Sequence, residues 1–72
     1  MKYPEVAERL RALGCEELPR RGGGSHRKWS NPEIQRDTVV PDWGARDLPL
    51  GTVRASVRQL GLAWDDFRKA LD

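Results

Sequence analysis

Two short stretches, one near each end of the chain, carry the same helical spacing of apolar residues, and this spacing limits the folds open to the chain. Val6, Leu10 and Leu13 fall at positions i, i+4 and i+7, on one face of an α-helix. The same spacing recurs within residues 53–60, and a glycine follows each stretch, where helices commonly end. We therefore predict two amphipathic helices, each with one face to bury.

The segment between these helices has the features of three strands. Cys15–Arg20 is a weak candidate for an edge strand, because Pro19 has no backbone N–H to donate in a central strand. His26–Ser30 alternates in character as a second strand would, and Asn31–Pro32 predicts a turn after it. Gln35–Val40 is rich in β-branched residues and predicts a third, antiparallel strand. Residues 42–49 then form a loop.

A last apolar spacing predicts a short terminal helix, with Trp64, Phe67 and Leu71 at i, i+3 and i+7. The predicted order is α-β-β-β-α with this helix added, which is an α+β fold. In such a fold a three-stranded antiparallel sheet packs one face on two helices and leaves the other face open. This is the arrangement of double-stranded-RNA-binding domains, and we expect a single domain over residues 1–72.

The small size of the chain points to a partner. A domain of 72 residues buries only about 60% of the surface that its unfolded chain exposes, so its own core gives marginal stability. We therefore expect oligomerisation or a tight partner, and a homodimer and a hetero-oligomer both remain open.

The scarcity of cysteine and histidine excludes several classes of protein. Cys15 has no second cysteine with which to form an internal disulfide, and one cysteine with one histidine is too few ligands for a structural zinc site. No apolar run approaches the roughly 18 residues of a membrane span, and the start of the sequence lacks a signal peptide's apolar core. The sequence predicts a cytoplasmic protein with no membrane partner and no cofactor.

The most basic stretch of the chain contains its one histidine. Residues 20–28 hold four cations and no acid, although the net charge is only +2. Three glycines and Ser25 precede His26 within this stretch. Glycines allow close approach of a large anion, cations hold phosphate, and an imidazole can move a proton near neutral pH. We interpret the stretch as a phosphodiester-cleaving site; the alternative is a solvated basic surface.

Strand alternation gives the side chains of this stretch two directions. In His26–Ser30, His26 and Lys28 fall on one face, and Arg27 and Trp29 on the other. Trp29 is then predicted to enter the core while His26 stays accessible.

Four segments carry a resemblance to a known family: Gly24–Trp29, Val39–Pro41, Asp47–Val53 and Gln59–Leu62. With these motifs at these spacings, the sequence resembles, over nearly its whole length, the HicA toxins of bacterial type II toxin–antitoxin systems. The resemblance implies an mRNA interferase, that is, an RNA endonuclease of the stress response, that a HicB-type antitoxin neutralises by covering its active site. The family's catalytic histidine matches His26.

Chemistry assigns roles to the basic residues without invoking a metal. RNA cleavage requires removal of the 2′-hydroxyl proton, stabilisation of charge on the phosphorane, and protonation of the leaving 5′-oxygen. His26 is predicted to be the general base or acid, and Lys28 to stabilise the phosphate. The second proton-transfer group is left open among a lysine, a carboxylate, water and a second subunit. The residues predicted to contact RNA are Arg20, Arg21, Gly24, Ser25, Arg27, Lys28, Arg54 and Arg58.

Several of these interpretations have alternatives. Ser25 also suits a turn, and Arg54 and Arg58 also suit a solvated helix surface. A nucleophilic pairing of Cys15 with His26 is less favoured than a buried, inert cysteine. Trp43, in the loop, is expected to flank the substrate groove or to contact an antitoxin, whereas Trp29 and Trp64 are expected in the core. The competing function is a noncatalytic RNA-binding module of the same fold.

Overall fold

The fold was obtained as a computed structural model, which describes residues 1–19 and 24–71. The predicted α+β order is confirmed, with a three-stranded antiparallel sheet in the order β1-β2-β3. The elements are α1 Tyr3–Ala12, β1 Glu16–Glu17, β2 His26–Asn31, β3 Arg36–Pro41, α2 Leu50–Gln59 and α3 Trp64–Lys69.

The two longer helices end where the glycines predicted. Gly14 has a φ of 89° and Gly61 a φ of 72°, both in the left-handed region that glycine adopts without steric cost. A side chain at Gly61 would in addition collide with the side chain of Ile34. Helix α2 begins at Leu50, directly after Pro49.

The strand boundaries differ from the predicted ones for local reasons. Within the described residues, β1 consists of Glu16 and Glu17, and Arg20, the predicted end of the strand, lies outside them. The strand does not include Cys15, because the Cys15 N–H is still hydrogen-bonded to the Leu10 carbonyl at the end of α1. Asn31 ends β2 and does not begin the turn, since its buried side chain donates a hydrogen bond of 2.8 Å to the Leu60 carbonyl. Gln35 is the last turn residue, with a φ of 55°, so β3 starts one residue later than predicted.

The core lies between one face of the sheet and the helices. Trp29 of β2 is fully buried, and its indole N–H donates a hydrogen bond of 3.0 Å to the Tyr3 hydroxyl of α1. The predicted core position of Trp29 is therefore confirmed. The largest fully buried side chains are Trp29, Phe67, Leu10, Leu60, Val6, Val40, Val53 and Val57.

The opposite face of the sheet carries exposed side chains. The register of β2 and β3 sets His26 against Pro41, Lys28 against Val39 and Ser30 against Asp37. His26 and Lys28 are exposed, as the alternation predicts, and Val39 is 48% exposed. This open face, defined by His26, Lys28 and Val39, is the surface on which the candidate site is built.

Candidate active site

His26 is the first residue of β2 and lies at one end of the open face. Its strand partner is Pro41, the last residue of β3, and its side chain is exposed. A side chain at the end of a strand, on the uncovered side of a sheet, has room for a large substrate. The structure therefore leaves the one imidazole of the chain accessible.

Lys28 lies two residues along the same strand and on the same face. Its backbone is roughly 7 Å from that of His26 at the usual rise of a strand. The Lys28 Nζ is 3.7 Å from Asp37 Oδ2, and these side chains are 58% and 46% exposed. An exposed pair at that distance contributes about 1 kcal/mol or less, so a phosphate can replace Asp37 at little cost.

The backbone before His26 is shaped by a glycine and tied to the loop after β3. Gly24 has a φ of 131°, which favours glycine, and an added Cβ there would meet no atom within 4 Å. The next residue, Ser25, is exposed, and its carbonyl accepts a hydrogen bond from the backbone N–H of Asp42. Gly24, Ser25, His26 and Lys28 are thus brought together along one strand end. Arg20 and Arg21, also predicted to contact RNA, lie outside the described residues.

Arg27 points to the other side of the sheet and is held by two carboxylates. Its guanidinium contacts Glu17 Oε2 at 3.3 Å and Asp42 Oδ2 at 2.9 Å, and it lies 5.7 Å from the centre of the Tyr3 ring. The three charged side chains are only 21–23% exposed. The structure therefore gives Arg27, predicted as a substrate holder, a set of protein partners that joins β1, β2 and the loop after β3.

Tyr3 completes this network. Its hydroxyl donates to Glu17 Oε1 and accepts from the Trp29 indole N–H. Burial, followed by the hydrogen bond to Glu17, raises the pKa of Tyr3 above its usual value. Sequence reasoning missed Tyr3, Glu17 and Asp42, since their partnership joins segments far apart in the chain.

Arg54 and Arg58 lie on α2, in the helical layer, and not on the open face. They line a groove of about 350 Å³ together with Val57, Leu62 and Trp64. The Arg54 guanidinium lies 4.8 Å from the centre of the Trp64 ring. Trp64 itself is half-buried against the core, so its predicted core role is confirmed in part. The structure does not bring these two arginines together with His26.

Cys15 is a core residue. Its side chain is 4% exposed, and burial raises the pKa of its thiol. A raised pKa keeps the thiol protonated and poorly nucleophilic, which supports the inert alternative. Within residues 1–19 and 24–71, no three His, Cys, Asp or Glu side chains form a group that could hold a metal ion.

The helices of the described segments are also too short and too polar for any of them to cross a membrane.

The chain is similar to known proteins both by a family model and by a curated relative. The family model described as "HicA toxin of bacterial toxin-antitoxin" matches residues 3–62. These residues include every element from α1 to α2. A curated relative from Pseudomonas fluorescens (strain Pf0-1), named "Probable mRNA interferase HicA", is 42% identical over 62 residues. That alignment covers 86% of this chain and 97% of the relative.

Proposed function

The chain belongs to the HicA toxin family of bacterial toxin–antitoxin systems, and on that premise we propose that it is an endoribonuclease that cleaves mRNA with His26 as its proton-transfer group. The curated relative's name supports the choice of mRNA as substrate. The single observation that supports the assignment of His26 most directly is its exposure on the open face beside Lys28.

Proton transfer at the 2′-hydroxyl is the step that an accessible imidazole performs. In its neutral form, His26 accepts the 2′-hydroxyl proton while the 2′-oxygen attacks the adjacent phosphorus. The bond from phosphorus to the 5′-oxygen breaks, and that oxygen takes up a proton. The products are a 2′,3′-cyclic phosphate and a 5′-hydroxyl. Because this chain has one histidine, the leaving oxygen takes its proton from a lysine, a carboxylate, water or a second subunit.

Lys28 stabilises the charge that develops on the phosphorane. Its ammonium group is on the same face as His26, and its exposed ion pair with Asp37 is weak enough to exchange. Approach of the RNA to Gly24 and Ser25 brings the scissile phosphate between the strand end and Lys28. Of the described cations predicted to hold RNA, Lys28 serves this site, and Arg27 acts through the loop that it positions.

Arg54 and Arg58 serve a separate contact to the phosphate backbone. Their place on α2, away from His26, suits RNA long enough to reach from the sheet to the helical layer. We therefore assign them to the affinity for long RNA and not to cleavage.

A HicB-type antitoxin neutralises the protein by covering the open face. Val39, the strand partner of Lys28, leaves apolar surface exposed on this face, and apolar surface of this kind is typical of a protein interface. The functional complex is then a toxin–antitoxin hetero-oligomer, and the cytoplasm, where mRNA is found, is its compartment.

Expression in a bacterial host tests the proposed function. Induction of the wild-type chain without an antitoxin should arrest growth and shorten cellular mRNA, whereas the His26→Ala variant should accumulate without arrest. Equal toxicity of the two proteins would contradict the role of His26. A folded wild-type protein that binds RNA but neither cleaves it nor arrests growth would support the second candidate, a noncatalytic RNA-binding module, which the α-β-β-β-α arrangement favours.

A further inference from the structure

Trp43 is a large aromatic side chain that the fold does not bury. It is 39% exposed, whereas Trp29 and Phe67 are fully buried. It belongs to the loop between β3 and α2, two residues after Pro41, the strand partner of His26. Packing of the core therefore does not explain why an indole stands at this position.

The loop that carries Trp43 is held in place on both sides of it. The Asp42 carboxylate accepts from Arg27 at 2.9 Å through Oδ2 and from the Gly44 N–H at 3.0 Å through Oδ1. The Asp42 N–H also donates to the Ser25 carbonyl, which extends the pairing of β2 with β3 by one residue. At the far end of the loop, the Leu48 N–H donates to the Met1 carbonyl at 2.9 Å. The backbone on both sides of Trp43 is thus held by hydrogen bonds and an ion pair.

The position of the loop places Trp43 close to the candidate site. The pairing of His26 with Pro41 and of Ser25 with Asp42 brings residues 41–42 alongside residues 25–26. Trp43 follows Pro41, the strand partner of His26, by two residues, so their backbones are at most about two residue rises of 3.3 Å apart. A nucleotide next to a phosphate held at His26 is within reach of the indole.

The charges around Trp43 suit a nucleic acid. The Arg46 guanidinium lies 5.4 Å from the centre of the Trp43 ring, and the Arg46 N–H donates to the Trp43 carbonyl at 3.1 Å. Both acids of the loop have cationic partners, since Asp42 pairs with Arg27 and Asp47 lies 3.2 Å from the Met1 amino group. The indole is therefore accompanied by a cation, and both acidic residues of its loop pair with other cationic groups.

We propose that Trp43 is a nucleobase-stacking residue for single-stranded RNA and that Arg46 holds the phosphate next to the stacked base. The inference rests on the proposed endoribonuclease function, and it adds a contact between Trp43 and a base of the RNA substrate beside His26. Aromatic side chains stack on every kind of base, so the contact increases the affinity for RNA and positions the RNA strand but does not select a base sequence. Removing the ring should weaken RNA binding roughly tenfold to a hundredfold.

The test uses the His26→Ala protein, so that binding is measured without cleavage. The substitutions Trp43→Ala and Trp43→Phe are introduced into this protein. Leu50→Ala is the matched control, because it removes an apolar side chain that is 59% exposed at the start of α2. A short, fluorescently labelled, single-stranded RNA of mixed sequence and a base-free polyphosphate are the two probes. Trp43→Ala should weaken RNA binding at least tenfold and leave polyphosphate binding unchanged, Trp43→Phe should restore most of the RNA affinity, and Leu50→Ala should change neither.

Two results would overturn the inference. The first is RNA binding by Trp43→Ala that matches its parent; loss of binding to a HicB-type antitoxin in the same variant would then make Trp43 a protein contact. The second is an equal loss of affinity for RNA and for polyphosphate.

Failure of this inference and failure of the proposed function are separable. Cleavage by the protein with an intact His26 tests the function, and the affinities of the Trp43 variants test the stacking. In the cleaving protein, Trp43→Ala should raise KM for the short RNA tenfold or more while kcat changes less than threefold.

Discussion

Arg27 and Asp42 form an ion pair of 2.9 Å that ties β2 to the loop after β3. The same guanidinium reaches Glu17 of β1, so one side chain connects β1, β2 and the loop after β3 at the end of the sheet that carries His26. Arg27, the neighbour of His26 in the chain, thus holds the segments around the candidate site together from the buried side of β2.

Replacement of Arg27 by alanine should destabilise the fold more than it weakens RNA binding. Glu17 and Asp42 would each lose a charged partner while partly buried, which should cost about 2 kcal/mol of unfolding free energy. Urea unfolding measures this loss.

RNA affinity measured over a series of salt concentrations distinguishes this role from direct contact with RNA. The slope of log affinity against log salt should be unchanged in Arg27→Ala, because Arg27 makes no phosphate contact in this account. A slope lowered by about one, with unchanged stability, would contradict it.

Lys28→Ala should behave in the opposite way. Its loss should leave the unfolding free energy within about 0.5 kcal/mol, since its ion pair with Asp37 is exposed. It should lower the salt slope of RNA binding by about one and slow cleavage strongly. Asp37→Asn is the matched control, because it releases Lys28 from its partner. That variant should bind RNA as tightly as the wild type or more tightly, and weaker binding would argue against Lys28 as the phosphate contact.

Tyr3 predicts a loss of stability at alkaline pH. Its pKa is raised in the folded state, chiefly by burial, so the native protein keeps a proton that the unfolded chain releases above about pH 10. The stabilisation is fully present below that pH and is lost as the pH rises further, by at most about 1.4 kcal/mol per pH unit. Urea unfolding at a series of pH values measures the effect.

Tyr3→Phe removes the titrating group and should therefore show a flatter decline above about pH 10. At neutral pH it should already be about 1–3 kcal/mol less stable, because the Trp29 indole N–H loses its acceptor. Parallel pH curves for the two proteins would contradict the environment described for Tyr3.

Charge reversal on α2 tests the separate contact assigned to Arg54 and Arg58. The double variant Arg54→Glu, Arg58→Glu should bind a long RNA at least tenfold more weakly and should cleave a short one at the wild-type rate. The double variant Arg68→Glu, Lys69→Glu, at exposed positions of α3, is the control, because it lowers the net charge by the same amount. If long RNA binds the double variant as it binds the wild type, the two arginines are a solvated helix surface.

The sequence predicted the parts of this fold that depend on local pattern. The spacing of Val6, Leu10 and Leu13 and the glycine after it gave α1, and strand alternation gave the opposite directions of His26 and Trp29. The resemblance to HicA toxins, drawn from four short segments, is confirmed by the match over residues 3–62.

The remaining features depend on contacts between distant segments. The acceptors of Arg27 are 10 residues before it and on the loop after the next strand, and no local pattern indicates such a pair. Arg27 lies in a basic stretch and was therefore predicted to hold substrate, although its guanidinium pairs with Glu17 and Asp42. The end of β2 was misjudged for the same reason, because Asn31 is drawn into the sheet by the Leu60 carbonyl.

Cleavage of a long single-stranded RNA in the presence of a chelator shows whether His26 takes part in the reaction. The wild-type protein and His26→Ala, matched for folding by circular dichroism, are compared at equal concentration. We predict cleavage by the wild type alone, with 2′,3′-cyclic phosphate ends on the products. Cleavage at similar rates by both proteins would contradict it.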